Sequence, residues 1–321
     1  MAAGSSAGSF TADVSNLTPG TTYYFQAYAT VSGTGNQSST TQTFTSPVNS
    51  FTTKVDGYEI RGYLEMPAET TGANYVNHTW GEGDNRNYSY LFDKTYYTST
   101  WVAYPLTASH TVGSGGSSSW KYDPTFESEC QINIVSNSYP TNYNASEYAR
   151  GHQCPNASRK SDATMNSQTY YSTNQTPQRQ DKFNASIWSS LEGAVRNLTS
   201  SADTVYVITG PVYQKVGGNE TINYLTSAKT SVKPEKVPIP NYYWKAILKV
   251  KRNAAGNLTD AAAIAVWLPH KDYDNSNYAD YVVSIDQIEQ WTGLDLFPLI
   301  PDELELPMES ATLTWSQFYA W

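Results

Sequence analysis

The feature that most constrains the fold of this 321-residue chain is a series of short segments rich in β-branched and aromatic residues. Such segments, bounded by turn residues, are typical of β-strands. The predicted strands are STWVAYPL (99–106), QINIVS (131–136), DTVYVITGPVY (203–213), YYWKAILKV (242–250) and AAAIAVWLP (261–269). Because one helical pattern falls among them, the order predicts a mixed α+β domain whose central, mainly antiparallel sheet is flanked by helices.

The helical pattern extends over about 181–198, where apolar residues recur at the spacing of one helix face. These apolar residues are Ile187, Leu191, Val195 and Leu198. A second helix is predicted to begin after Ser284, since Ser284 and Gln287 have the spacing of a capping box. It is predicted to end at Gly293, because glycine favours the left-handed conformation that terminates helices.

The first 50 residues form a separate predicted unit, in which three short segments between Phe10 and Ser46 alternate apolar and polar residues. Within it, Leu17–Tyr23 resembles the tyrosine corner of a fibronectin type III domain. The resemblance covers the last three strands of such a sandwich, and roughly 45 residues cannot bury an independent core. We therefore expect the full protein to start further upstream. The alternative is a hairpin appended to the next domain. The sequence predicts a partial fibronectin type III-like β segment over 1–50 and a second domain over 51–321.

The charge of the chain limits its partners. The net charge is −9 and the isoelectric point is about 4.9, which argues against a broad basic surface for nucleic acid. A polyanionic substrate would need local positive charge from a metal ion and a few placed arginines. Only 15% of the residues are charged and 26 are tyrosine, a composition common in exported β-rich proteins. We therefore expect a secreted or cell-surface location.

No run of about 18 apolar residues occurs, so the sequence predicts no membrane-spanning helix. The opening MAAGSSAGS lacks the charged and apolar regions of a signal peptide. The two cysteines, Cys130 and Cys154, leave two interpretations open. They either form a disulfide that closes a loop of roughly 25 residues, or remain two buried thiols.

The stretch EYARGHQCPNASR contains the first candidates for catalysis. His152 belongs to the one residue type whose unperturbed pKa lies near neutrality, as a general base requires. Gly151, before it, allows a tight turn or a close approach of the backbone to a ligand. Arg150 offers a planar fork that suits a pair of phosphate oxygens. Together these residues are compatible with phosphate chemistry, although Arg-Gly-His also occurs by chance.

Three downstream residues are further candidates. Asn174 precedes a Thr-Pro turn, and Asn184 lies near the start of the predicted helix. Glu192 follows Asn184 by eight residues, which is about 80° around an ideal α-helix, so both could face one side. Taken singly, Asn184 is more typical of a helix cap, and Glu192 could be a surface partner of Arg196 one turn later.

Taken in order, these segments resemble the DNA/RNA non-specific endonuclease family, the ββα-metal nucleases that include endonuclease G. The matching motifs are Ala149-Arg150-Gly151-His152, Thr173-Asn174-Gln175-Thr176-Pro177-Gln178, Phe183-Asn184, Trp188 and Leu191-Glu192. Further matches are VYVITGPVY, VPIPNYYWKAILKV, WVAYPLTASH and YVVSIDQIEQWTGLDLFPLIPDELE. The resemblance covers about 55–321 and implies a ββα-metal nuclease fold.

The resemblance also implies a role for each residue. His152 would be the general base that takes a proton from the attacking water. Asn184 would be the protein ligand of a hydrated Mg²⁺, for which Mn²⁺ or another divalent ion could substitute. Glu192 would orient a water of that ion's hydration shell. Arg150 and Asn174 would hold the phosphate and the local geometry. The substrates would be DNA and RNA, and a homodimer is open because some family members dimerise.

Two departures from the family pattern bear on activity. Ala149 replaces the acid that precedes Arg-Gly-His, and the loop before Trp120-Lys121-Tyr122-Asp123-Pro124 lacks the usual arginine. Lys121 is a candidate substitute, although a point charge does not reproduce a bidentate fork. Two other functions therefore stay open beside a secreted Mg²⁺-dependent endonuclease. They are a non-catalytic module that binds nucleic acid or a surface, and a phosphodiesterase acting on small nucleotides.

Overall fold

The structure of the chain is a computed structural model that describes residues 14–15, 17–18, 20–32, 41–53, 57–68, 74–81, 85–132, 147–226 and 234–321. The chain divides into two compact units. The first comprises Met1–Glu59 with Arg252–Thr259, and the second comprises Ile60–Lys251 with Asp260–Trp321. No helix in the described ranges is both long and apolar enough to span a membrane.

The first unit contains two small antiparallel strand pairs. Strand β1 (Thr22–Phe25) pairs with β4 (Asn49–Thr52), and β2 (Tyr28–Ser32) pairs with β3 (Thr41–Thr45). The hydroxyl of Tyr23 accepts a hydrogen bond from the Thr18 backbone N–H at 2.8 Å. No described apolar side chain between Val14 and Glu59 is buried. The identity of this segment with part of a fibronectin type III domain stays a prediction.

The second unit is organised around a seven-stranded sheet, which confirms the predicted mixed α+β class. The remaining strands are β5 (Tyr75–Trp80), β6 (Asn85–Asp93), β7 (Thr98–Leu106), β8 (Tyr148–His152), β9 (Gln175–Arg179), β10 (Val205–Val212), β11 (Asn223–Thr226), β12 (Lys236–Ile239), β13 (Tyr242–Arg252), β14 (Leu258–Pro269) and β15 (Val282–Val283). The large sheet has the order β15-β14-β13-β10-β7-β6-β5. Two pairs stand apart from it, β8 with β9 and β11 with β12.

Four of the five predicted strands are confirmed as β7, β10, β13 and β14. The fifth, QINIVS, is not confirmed, because Gln131 and Ile132 are not in a strand and the rest lies outside the described residues. Strands β5 and β6 had no sequence prediction. Strand β6 does not alternate, because both of its faces are buried and polar residues contribute to the burial.

The helices are α1 (Ala163–Gln168), α2 (Ser189–Asn197), α3 (Ile285–Thr292), α4 (Asp302–Ser310) and α5 (Trp315–Ala320). The helix predicted over 181–198 is present, but its first part, Gln180–Trp188, is wound as a π-helix before α2 continues it. The Ser189 N–H accordingly donates to the Asn184 carbonyl five residues earlier. Helix α3 confirms both predicted ends, since Ser284 accepts a hydrogen bond from the Gln287 N–H and Gly293 has φ 74°.

The helical segment 180–197 is held against the sheet by its apolar face. Ile187, Leu191 and Val195 belong to one buried cluster with sheet residues such as Val205 and Ile247. Burying each such side chain stabilises the fold by about 1.5–3 kcal/mol. Because β9 leads directly into this helix, the same packing also holds the paired strands β8 and β9, on which the candidate site lies, in place.

The cysteine question is resolved in favour of thiols. Cys154 is buried and Cys130 is partly buried, and both are free. Cys154 lies in the main apolar cluster, where it packs as a small hydrophobic residue.

Candidate active site

The paired strands β8 and β9 and the helix that follows them bring the predicted site residues into one ββα unit. In the antiparallel ladder, His152 lies opposite Gln175, and Arg150 lies opposite Pro177. Asn174 directly precedes β9, and Asn184 and Glu192 follow it on the helical segment. The candidates are spread along the sequence, but they lie on consecutive elements of one ββα unit.

Gly151 leaves room for a neighbouring side chain within the β8–β9 strand pair. A Cβ atom at Gly151 would lie 2.2 Å from Cδ and 2.3 Å from Oε1 of Gln178, which is fully buried. The glycine therefore serves the approach of a neighbouring side chain. This differs from the expectation of a tight turn or a close approach to a ligand.

His152 has a free nitrogen in a buried setting. Its ring packs against Trp120 at a centroid distance of 4.8 Å and edge-on against Tyr170 at 5.1 Å. Nε2 is buried and has no hydrogen-bond partner among the described residues. Burial, aided by the charge of Lys160, lowers the pKa of His152 to about 4. The imidazole is therefore neutral at pH 7 and can accept a proton.

Arg150 lies beside the same indole ring. The guanidinium carbon is 5.8 Å from the centre of the Trp120 ring, and the side chain is partly exposed. Lys121, the candidate substitute for the missing loop arginine, is engaged elsewhere. Its amine donates to the Ser167 hydroxyl at 2.7 Å and lies over the Tyr171 ring. Of these two cations, only Arg150 is placed beside His152 and Trp120.

Asn174 is fully buried, and its amide is used within the protein. Its nitrogen donates to the carbonyls of Cys154 at 3.0 Å and Thr169 at 2.8 Å, and its oxygen accepts from the Cys154 N–H at 2.8 Å. The Gln153 N–H also donates to the Asn174 carbonyl at 3.0 Å. Asn174 therefore fixes the backbone just after His152. Of the two roles implied for it, this geometry favours the structural one over phosphate contact.

Asn184 lies in the π-helical segment and is partly exposed. Its side-chain nitrogen donates to Gln180 Oε1 at 3.2 Å, while its side-chain oxygen has no hydrogen bond within the described residues. Wide π-type turns occur frequently at functional sites. A neutral, open amide oxygen is a suitable donor for a hard cation such as Mg²⁺, which keeps most of its waters. The residue at this position therefore fits a hydrated divalent ion.

Glu192 lies near two cations on the inner side of α2. Burial raises its pKa, and the charges of Lys245 and Arg196 oppose that rise. Lys245 is fully buried, donates to the Thr209 hydroxyl at 3.1 Å and lies 4.3 Å from the centre of the Trp188 ring. Burial lowers the pKa of Lys245 to about 8, against the effect of Glu192. Among the ion pairs of the described residues none joins Glu192 to Arg196, and Arg196 Nη1 is buried without a hydrogen bond, so the alternative of a surface ion pair is not supported.

Lys245 and Trp120 are site residues to which no sequence pattern assigned a role. A lysine inside the apolar run YYWKAILKV was the available signal, because lysine is almost never buried without a partner. Trp120 carried no local signal, since its contact with His152 joins segments 32 residues apart.

The comparisons with known proteins agree with this arrangement. The profile of the DNA/RNA non-specific endonuclease family matches residues 69–303. A nuclease of Serratia marcescens is 31% identical over 216 residues, which cover 65% of this chain and 72% of that nuclease. A mitochondrial nuclease of Saccharomyces cerevisiae is 31% identical over 164 residues, 50% of this chain and 49% of the relative. The match thus spans about half the length of this yeast nuclease.

The fold is similar to a solved structure of the EndoG/EndoGI complex. The TM-score is 0.54 at 22% sequence identity, and the match covers 71% of this chain and 89% of that chain. This likeness confirms the predicted ββα-metal nuclease fold. Because the family profile extends over well more than half of the sequence, the chain belongs to the DNA/RNA non-specific endonuclease family.

Proposed function

We propose that the protein is a divalent-metal-dependent endonuclease that hydrolyses phosphodiester bonds of both DNA and RNA. The observation that carries the proposal is the buried, unpartnered Nε2 of His152 in the ββα unit. A buried nitrogen without a partner is costly, and a functional purpose is one reason for a protein to retain it. Proton transfer is that purpose here, and a positioned base contributes about 10²–10⁴-fold to a hydrolytic rate.

In this mechanism His152 removes a proton from the water that attacks phosphorus. A pKa of about 4 keeps Nε2 unprotonated at neutral pH, and the Trp120 and Tyr170 rings fix the plane of the imidazole. Asn174 acts as a positioning residue, because its hydrogen bonds to Cys154 hold the chain that leaves His152. Arg150, beside Trp120, contacts a non-bridging phosphate oxygen.

The proposed metal ligand is Asn184, and the proposed ion is Mg²⁺, with Mn²⁺ as a substitute. When bound, such an ion would neutralise charge that develops on the phosphate and the leaving oxygen. Glu192 would hold the ion's hydration shell from α2. Its carboxylate stays close to the cations Lys245 and Arg196, which favour its charged form.

The proposed chemistry touches phosphate and leaves the bases and the sugar unread, which supports activity on both nucleic acids. The acidic chain, with a net charge of −9, relies on a few local cations for this contact. The low charge density and the tyrosine-rich composition support a secreted or cell-surface location. A homodimer stays open, and sedimentation of the purified chain tests it.

The test is cleavage of plasmid DNA and of an RNA transcript by the purified chain, with Mg²⁺ or with EDTA. Cleavage that needs both the metal and His152 is the expected result. Asn184→Ala should raise the Mg²⁺ concentration needed for half-maximal rate at least ~10-fold, as loss of a ligand to the ion implies. A folded protein that binds DNA without cutting it would instead indicate a non-catalytic module. Turnover of a small diester in preference to DNA would indicate a phosphodiesterase.

A further inference from the structure

A cluster of carboxylates lies between α3 and α4, on elements that carry none of the proposed catalytic residues. Asp286 and Glu289 are on α3, and Glu309 is on α4. One carboxylate oxygen from each residue lies within 4.8 Å of the other two. Three negative groups at this separation repel one another unless a cation or protons accompany them.

Glu309 is the member that most needs a partner. Only 8% of its surface is exposed, and it makes no hydrogen bond or ion pair within the described residues. One turn earlier on the same helix, Oε1 of Glu305 is also buried without a hydrogen bond. Buried carboxylates are normally paired or coordinate a metal. One oxygen of Glu309 lies within 4.8 Å of an oxygen of Asp286 and of Glu289, two acidic groups that cannot compensate its charge.

The charges around the cluster are acidic as well. Burial and then Glu289, Glu305, Asp286 and Asp295 raise the pKa of Glu309 to about 8. Burial and acidic neighbours likewise raise the pKa of Glu305 to about 7. In the described part of the chain no lysine or arginine forms an ion pair with Asp286, Glu289, Glu305 or Glu309. The compensation must therefore come from protons or from a cation that the described part of the chain does not supply.

We propose that Asp286, Glu289 and Glu309 bind one Ca²⁺ ion, which joins α3 to α4. Carboxylate oxygens are the ligands that this hard cation prefers, and Ca–O distances of about 2.3–2.6 Å place opposite ligands up to about 5 Å apart. The observed separations lie within that limit. One oxygen of Glu289 accepts the Leu296 N–H at 2.6 Å, which holds this carboxylate in place and leaves its other oxygen for the ion.

The experiment measures the thermal unfolding of the full chain, stripped with EDTA, before and after addition of millimolar CaCl₂. An ion that binds only the folded state raises Tm, and saturation should give a rise of at least ~4 °C. The Asn184→Ala variant serves as the background, so that binding at the proposed catalytic position does not contribute. Mg²⁺ at the same concentration should raise Tm less, because it dehydrates reluctantly and demands an octahedral site.

Glu309→Gln is the test variant, and Glu303→Gln is its matched control. Both replace one carboxyl group of α4 by a neutral amide, but Glu303 is exposed and lies outside the cluster. We expect the Ca²⁺-induced rise to persist in Glu303→Gln and to be lost in Glu309→Gln. Without Ca²⁺, Glu309→Gln should melt no earlier than the parent, because repulsion is relieved. An equal rise in both variants, or none in the parent, would overturn the proposal. The proposal would also be overturned if the Tm of the parent did not respond to Ca²⁺ but rose at lower pH, since the carboxylates would then share protons.

Discussion

A histidine lies at each end of the β8–β9 strand pair: His152 ends β8, and His270, which follows β14, contacts Arg179 at the end of β9. The difference between the two separates a structural role from the proposed catalytic one. Burial lowers the pKa of both His152 and His270 to about 4. At the far end, His270 Nε2 accepts the Arg179 N–H at 2.9 Å, and Nδ1 bonds the Pro240 carbonyl at 2.8 Å. At the near end, His152 Nε2 has no partner among the described residues.

The comparison shows that a depressed pKa does not by itself identify a catalytic histidine. Both rings are kept neutral by the same cause, which is loss of solvent. His270 uses both nitrogens to tie β9 to the chain around Pro240, so it has no lone pair left to take a proton from a substrate. His152 keeps one, and Arg150 lies on the face of the same tryptophan.

The largest expected effect is on the rate of His152→Ala. Removing the base should lower the rate of DNA cleavage about 10³-fold, within the range of general-base catalysis. The rate is measured on plasmid DNA at saturating Mg²⁺. Far-UV circular dichroism and Tm serve as the control, and both should stay near the parent values. A variant that cuts within about tenfold of the parent would show that His152 is not the base.

His270→Ala should give the reverse pattern. It leaves the partly buried Arg179 N–H and Pro240 carbonyl without these partners, and each such loss costs about 1–3 kcal/mol. We therefore expect a loss of about 3 kcal/mol in the free energy of unfolding, measured in urea. At a temperature where the variant is folded, its cleavage rate should stay within a few-fold of the parent. A large loss of rate without a loss of stability would contradict the structural role.

A third expectation concerns stability in acid, where the two histidines should behave alike. Between pH 6.5 and about 4 the unfolded chain protonates each imidazole while the folded chain does not. Protons then favour the unfolded state, so stability falls as the pH falls through this window. Because both imidazole side chains are partly exposed, we expect the loss of stability to be only about 2 kcal/mol for each histidine. His152→Gln and His270→Gln should each remove a similar part of the loss. Unequal parts would mean that the two rings are not desolvated alike.

The sequence predicts those parts of the molecule that local patterns determine. Ser284 and Gly293 define α3 because cap residues act on adjacent backbone groups. Strand β6 was missed because the partners of its buried Asn87 are Met165 and Gln168, about 80 residues away. The same limit applies at the site. His152 and Asn184 were predicted as site residues from their motifs, and that assignment stays a prediction. The contact of His152 with Trp120 and the hydrogen bonds that occupy the Asn174 amide depend on tertiary packing.

The helical rotation between Asn184 and Glu192 shows why spacing alone was insufficient. The estimate of about 80° assumes an ideal α-helix, whereas Gln180–Trp188 is π-helical. A π-turn adds a residue to the turn and changes the rotation of everything before it. The apolar periodicity of the sequence does not reveal the π-helical turn, because the turn depends on the packing of Phe183 and Trp188 in the core. The position of the proposed metal ligand, Asn184, thus depends on tertiary contacts that the motif does not contain.

The smallest effect should come from Gly151→Ala, which tests the end of β8 next to His152 without changing a reacting group. The new methyl would meet Gln178 Cδ at 2.2 Å, so the strand or the glutamine must move. Overpacking of this kind costs about 1–3 kcal/mol. Because His152 is the next residue, we expect a several-fold loss of rate together with a lower urea midpoint. Gln178→Ala in the same chain provides room and should recover most of both. If the double variant stays as impaired as the single one, the clash with Gln178 is not the reason for glycine, and the backbone itself must approach the phosphate there.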